Sequence, residues 1–158
     1  INIIGLWIVV FLIEKQFGTR KISELGGLAS RAPVLTLLLV IITLANIALP
    51  LTNGFIGEFL MFSGVYSSRV TTYNVVFTAT AAITVILSAV YMLNMVQRVF
   101  YGSTNTLTAQ AVDIRPGEKM ILAFIVILIL IVGVYPEPLF RLTQDSVNAL
   151  LSKMFVKP

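Results

Sequence analysis

Apolar residues run along this chain in long blocks separated by short polar connections, and the block lengths predict membrane-crossing helices. Residues 1–13 (INIIGLWIVVFLI) are apolar but too short to cross a bilayer alone; Glu14 and Lys15 mark the interfacial end of a partial helix over 1–16. In the connection 14–32, Lys15, Arg20, Lys21 and Arg31 stand against Glu14 and Glu24, and Gly26-Gly27 is expected to stop local order. Residues 33–67 form the longest block. As one straight helix it would measure about 52 Å at 1.5 Å per residue, far more than a hydrocarbon core of about 30 Å. Its halves, 34–48 and 55–67, are each too short to cross alone, and between them lies the helix-hostile run Pro50-Leu51-Thr52-Asn53-Gly54. The pattern predicts one crossing built from two half-helices joined by an irregular link at 49–54. Protein or a wet cavity has to satisfy such a link at membrane depth. The half-ends are expected to offer open carbonyls on one side and open N–H groups on the other.

A short connection at 68–73 leads to a helix over 74–98, a polar loop over 101–117, and an Ile-, Leu- and Val-rich helix over 118–135 that Pro136 and Pro138 terminate. The tail 139–155 places Leu139, Leu142, Val147, Leu150 and Met154 near helical spacing, with Arg141, Asp145, Asn148 and Lys153 between them. That pattern predicts an amphipathic helix at the membrane interface. The expected fold is all-α: a polytopic transmembrane helix bundle with one discontinuous helix, all of 1–158 belonging to a single domain. The chain begins at Ile1, with no initiator Met and no charged leader, and is read as a fragment of a longer protein rather than one headed by a signal peptide.

Composition narrows the chemistry. Hydrophobic residues make up 58% of the chain and charged ones 11%, against about 25% charged in a soluble domain. An ordinary globular domain and a disordered segment are both excluded. There is no Cys and no His, which excludes a Cys-held iron–sulfur cluster, a structural zinc site, a His-ligated haem and a disulfide. No Gly-rich phosphate loop follows a strand-like run. Redox or nucleotide chemistry, if there is any, belongs to a partner. The net charge of +4 is spread over the connections, which indicates membrane topology and not nucleic-acid binding. The connection 14–32 carries four Lys/Arg, and 98–119 carries Arg98, Arg115 and Lys119, against Arg69 alone in 68–73. The first and third connections are thus expected on the cytoplasmic side, with 33–67 running outward. Arg141, Lys153 and Lys157 then fall outside, against the count.

One ionisable residue stands inside these blocks where function is expected by default: Glu58, four residues after the helix-hostile run. Interrupted helices build midplane ion sites in transporters. A carboxyl between apolar surroundings and a helix N-terminus is pulled both ways between its charged and neutral forms, as suits a group that takes up and releases a proton. A neutral, hydrogen-bonded structural Glu is the plain alternative. Asn46, Thr52 and Asn53 flank the break as candidate caps, Asn53 above all, and Asn46 is a candidate to hold water near Glu58. On the next helix Thr80, Thr84, Ser88 and Tyr91 share one face, extended by Asn94 and Arg98. They read either as interhelical hydrogen bonding or as the lining of a water path. Arg98 sits near a membrane end, where snorkelling is the default.

The strings Gly26-Gly27-Leu28, Leu49-Pro50-Leu51-Thr52-Asn53-Gly54-Phe55-Ile56-Gly57-Glu58-Phe59 and Tyr135-Pro136-Glu137-Pro138-Leu139 resemble the last third of the antiporter-like chain M family of proton-pumping NADH:quinone oxidoreductase (complex I), whose mitochondrial counterpart is NADH dehydrogenase subunit 4. The resemblance covers essentially the whole chain. It implies a fourteen-helix protein of two inverted five-helix repeats, of which this segment is the end of helix eleven, the broken helix twelve, and helices thirteen and fourteen. It also implies that Glu58 is the terminal protonatable group, near the outward exit of the proton path, with Pro50, Thr52, Asn53, Gly54 and Gly57 forming the break. Sister chains carry Lys at that place. The earlier path groups, a Glu, two Lys and a His, would precede this segment.

By the same resemblance this chain holds no cofactor. NADH, FMN, iron–sulfur clusters and quinone would be bound by partner subunits, and the sister antiporter-like chains and the lipid bilayer would be its neighbours in the inner (cytoplasmic) membrane of a bacterium. Two other functions fit the residues: a subunit of an Mrp-type cation/proton antiporter, and a structural membrane spacer with no ion path of its own.

Overall fold

The computed structural model describes residues 1–68 and 71–155; Arg69 and Lys157 of the charge count lie outside them. The described residues form helices α1 (Asn2–Phe17), α2 (Pro33–Asn46), α3 (Asn53–Tyr66), α4 (Asn74–Phe100), α5 (Pro116–Val134) and α6 (Glu137–Phe155), with short 3₁₀ turns in the connections and no β-strand among them. At 1.5 Å per residue α4 is about 40 Å long and α5 about 28 Å; both are long enough, and apolar enough over most of their length, to cross a membrane.

The core forms around α2. Leu35, Leu39, Ile42 and Ala45 are almost wholly buried, between Val9, Leu12 and Ile13 of α1 and Leu122, Ile125, Val126 and Ile129 of α5. The α5 residues recur at three and four, so one stripe of an all-apolar helix is buried. The opposite stripe, Ile121, Phe124, Ile127 and Ile131, is exposed. α4 enters the core only through Met92, Val96, Val99 and Phe100 near its C-terminal end. The rest of it presents Val75, Phe77, Ile83, Ile86, Leu87 and Val90 outward. α3 packs against α4 and α5 and has no buried residue. Large apolar side chains left outside in this way suit lipid or further helices, not water.

At one end of the bundle the connections 18–32 and 101–115 lock together. Asn105 donates from Nδ2 to the Glu24 carbonyl at 2.8 Å, and Gln16 from Nε2 to the Val112 carbonyl at 3.0 Å. The carboxylate of Asp113 accepts the N–H groups of Val34 (3.0 Å) and Leu35 (3.2 Å), capping α2 from another part of the chain. Gly26-Gly27 fall in the irregular stretch between two 3₁₀ turns, Ile22–Glu24 and Leu28–Ser30, and they also permit close approach. A Cβ on Gly26 would lie 2.5 Å from the Ser103 carbonyl oxygen, and Gly27 holds φ +67° against Thr104. The expectation for Pro138 is corrected. It does not help to end α5 but sits in the first turn of α6, where a missing N–H costs nothing. Along α6, Leu139, Leu142, Val147 and Leu150 are exposed.

Candidate functional site

The block 33–67 is interrupted, but two residues earlier than its sequence suggests. α2 stops at Asn46 because Ala48 adopts a left-handed conformation (φ 56°). The Leu49 N–H then reaches back to the Leu44 carbonyl (3.0 Å) and the Ala48 N–H to the Ala45 carbonyl (3.3 Å). These paired bonds are those of a Schellman cap. A tight turn follows at once. Pro50 takes its second position, Leu51 (φ 75°) its third, and the Thr52 N–H closes it on the Leu49 carbonyl at 3.1 Å. Asn53 and Gly54 consequently belong to the first turn of α3 and not to the link.

The caps expected from side chains are absent. Thr52 holds the N-cap position of α3 with extended backbone, but its hydroxyl donates to the Leu49 carbonyl at 2.6 Å. Asn53 caps nothing either; its buried Oδ1 has no partner among the described residues. The carbonyls at the end of α2 are therefore largely answered by the Schellman bonds, while among the described residues no side chain answers the first N–H groups of α3. The two half-ends are not equally open.

Three close packings fix the link. Asn2 of α1 donates from Nδ2 to the Ala45 carbonyl at 3.1 Å. A Cβ on Gly54 would come within 2.4 Å of that same oxygen. On the far side, a Cβ on buried Gly133 of α5 would lie 2.3 Å from the Leu51 carbonyl oxygen. The link thus sits level with the last turn of α5, not with its middle. Among the described residues, the buried side-chain polar atoms without a hydrogen-bond partner are Asn2 Oδ1, Thr43 Oγ1 and Asn53 Oδ1. Thr43 is in the last turn of α2, Asn53 opens α3, and Asn2 is bonded to the end of α2.

Glu58 is the sixth residue of α3, past the first turn to which a helix N-terminus confines its effect. Its side chain is half-buried and makes no hydrogen bond or ion pair among the described residues. Phe55 and Phe59 stack beside it, ring centroids 5.6 Å apart. Gly57 faces open space. Asn46, half-buried, ends α2. On α4 the hydroxyls of Thr80 and Thr84 donate to carbonyls of their own helix, those of Val76 (2.9 Å) and Ala81 (2.6 Å). Thr80, Thr84 and Tyr91 are exposed and Ser88 half-buried, so most of this stripe lies on the open side of the bundle. Sequence reasoning missed Asn2, Ala48 and Gly133. Gly133 had a signal, a glycine inside an otherwise bulky apolar helix; Ala48 had none, since Gly or Asn is usual at its position.

The sequence has neither Cys nor His, and no group of three or more acidic side chains converges among the described residues.

Known proteins are similar to this chain in sequence and fold. A family model described as NADH:quinone oxidoreductase/Mrp antiporter, TM, matches residues 2–84. The NADH-quinone oxidoreductase subunit M of Rickettsia typhi is 36% identical over 150 residues, covering 94% of this chain and 29% of the relative. The chloroplastic NAD(P)H-quinone oxidoreductase chain 4 of Cucumis sativus is 33% identical over 140 residues, 86% of this chain and 28% of the relative. Among solved structures, a chain of respiratory complex I from Thermus thermophilus with bound NADH matches with a TM-score of 0.73 and 32% identity, over 87% of this chain and 28% of that one. The chain thus spans less than a third of the length of these relatives. A match across more than half of its residues, containing both half-helices and the link between them, places the chain in the NADH:quinone oxidoreductase/Mrp antiporter transmembrane family.

Proposed function

We propose that this chain is the outward part of the proton path in a membrane subunit of NADH:quinone oxidoreductase, with Glu58 as the group that releases the proton. The observation that carries the reading is the joint between α2 and α3. Three buried polar atoms without a partner among the described residues, Asn2 Oδ1, Thr43 Oγ1 and Asn53 Oδ1, surround or adjoin it, and the first N–H groups of α3 have no side-chain acceptor among those residues either. Buried groups of this kind are satisfied by ordered water. Water at the joint would bring hydration to within two turns of Glu58. The link's place level with the end of α5 fits an exit close to one membrane face.

NADH oxidation and quinone reduction belong, in this reading, to partner subunits that bind NADH, FMN, iron–sulfur clusters and quinone. This chain moves protons and carries no electrons. Asn46 borders the wet joint, while Thr84, Ser88 and Tyr91 line a water path completed by helices outside this segment. Neighbouring subunits would include sister antiporter-like chains, and the setting is the cytoplasmic membrane of a bacterium.

In the assembled complex, Glu58→Gln is expected to lower proton pumping per electron severalfold, and Glu58→Asp much less, because Asp keeps a titratable carboxyl. Full pumping by assembled Glu58→Gln enzyme would remove Glu58 from the path. The family description also names Mrp antiporters. Sodium-dependent transport without NADH oxidation would favour that second reading.

A further inference from the structure

A basic cavity and an apolar groove meet at the end of the bundle where the two polar connections interlock. The cavity, of about 1010 Å³, opens between the loop after α1 and the last turns of α4, and Arg20, Lys21, Asn94, Arg98 and Ser103 are among its walls. The groove, of about 270 Å³, is lined by apolar side chains of α1, α2 and α4, including Val9, Ile13, Leu39 and Val99. The two are continuous, since Arg20, Ile22, Leu25 and Met95 line both.

The charges in the cavity do not cancel. Arg20 pairs with Glu14 and Lys21 with Glu24. Arg98 meets no carboxylate among the described residues; its Nε donates to Asn94 Oδ1 at 3.0 Å, which leaves the terminal nitrogens of the guanidinium. One cation in excess matches the single negative charge of a phosphodiester, and a guanidinium edge holds a phosphate through paired N–H bonds. Trp7, exposed on α1, has the Arg20 guanidinium 5.8 Å from its ring centroid, the mixed aromatic and basic surface typical of a membrane interface.

We propose that this joined cavity binds an anionic phospholipid, with the headgroup phosphate on Arg98 beside Arg20 and Lys21 and an acyl chain along the groove. Basic pockets between transmembrane helices on the cytoplasmic side recognise such headgroups. The proposal rests on the chain being membrane-embedded and does not involve Glu58; Tyr91, given above to the water path, also borders the cavity, so the lipid would close off that end of the path.

The test uses the full-length chain in its assembled complex, purified in mild detergent and analysed by native mass spectrometry for retained phosphatidylglycerol. The wild-type complex is expected to hold one phosphatidylglycerol more than Arg98→Gln, with Arg98→Lys in between. Titration back of the lipid should be roughly fivefold weaker for Arg98→Gln, the loss expected for one basic residue. Met95→Trp, which fills the groove without touching charge, should lose the same lipid. Millimolar inorganic phosphate should not displace it; displacement would mean a phosphate site and overturn the lipid reading. Equal retention by wild type, Arg98→Gln and Met95→Trp would also overturn it. Where a variant fails to assemble, a density map of the wild-type complex in phosphatidylglycerol nanodiscs decides. Elongated lipid density along Val9, Leu39 and Val99 supports the proposal, and polypeptide in the groove sinks it.

Discussion

Replacing Gly133 by alanine tests how tightly the joint is held. A Cβ there would lie 2.3 Å from the Leu51 carbonyl oxygen and 2.5 Å from the Thr52 carbonyl carbon. Carbon atoms pack best at about 3.5–4.0 Å, so the link and α5 would have to part by roughly 1 Å. Both obstacles are backbone atoms of a turn closed by the Thr52 N–H bond to the Leu49 carbonyl, so neither can swing aside as a side chain would. Overpacking of this kind costs about 1–3 kcal/mol. Alanine in place of a helical glycine returns at most about 0.5–1 kcal/mol through the chain's lower freedom when unfolded, and Gly133 stands in the last turn. The net is a loss of roughly 1–2 kcal/mol. Gly64→Ala in α3 is the control, because nothing stands within 4 Å of its Cβ position and only the helix gain remains. The assay is reversible unfolding of the full-length subunit in mixed micelles, both variants side by side, with assembly scored on native gels. If Gly133→Ala matches or exceeds Gly64→Ala in stability, the close approach of link and α5 is wrong.

Ala48→Gly should raise stability in the same assay by about 1 kcal/mol, since the left-handed conformation penalises any residue with a Cβ; a drop would argue against φ 56° there. Asp113→Ala should cost about 1–2 kcal/mol by uncapping Val34 and Leu35, and Asp113→Asn, which keeps one acceptor oxygen, less; equal effects would deny the two-oxygen cap. Glu24 offers a pH dependence: the Thr19 hydroxyl bond and the Lys21 ion pair hold its carboxyl below the ordinary carboxylate range. A lowered folded value means that this contribution is fully present above the ordinary range and is lost as pH falls through the lower folded value. Hydrogen exchange in residues 19–25 should accordingly quicken only at the acid end, and Thr19→Ala should move that onset to higher pH; an unmoved onset would rule out the Thr19 bond as the cause.

The interruption of the long block was legible because Pro50 has no N–H to give and because one straight helix of that length outruns a bilayer. Its start was not, since Ala48 carries the left-handed turn that glycine usually marks, and nothing in an alanine announces it. Gly26-Gly27 showed the irregular stretch but not the contact made there. A glycine that loosens a loop and one that lets two backbones touch are written alike, and only the presence of Ser103 and Thr104 separates them. Thr52 and Asn53 are common N-cap types, yet the Leu49 carbonyl took the threonine hydroxyl first. The surroundings of Glu58 and of the Thr84–Tyr91 face depend on what packs beside α3 and α4, which no pattern within 158 residues encodes.

The joint between α2 and α3 is made from isoleucine, alanine, leucine, proline and threonine, each restricted by its own side chain, and is cross-braced by four backbone bonds, the three described above and that of the Ile47 N–H to the Thr43 carbonyl. A swivel is usually built the other way, from small residues with few bonds. This elbow therefore behaves as a welded corner. Under the proposed function, the motion that lets protons through in one direction and blocks them in the other comes from reorienting side chains and rearranging water around it, while the corner itself keeps its angle.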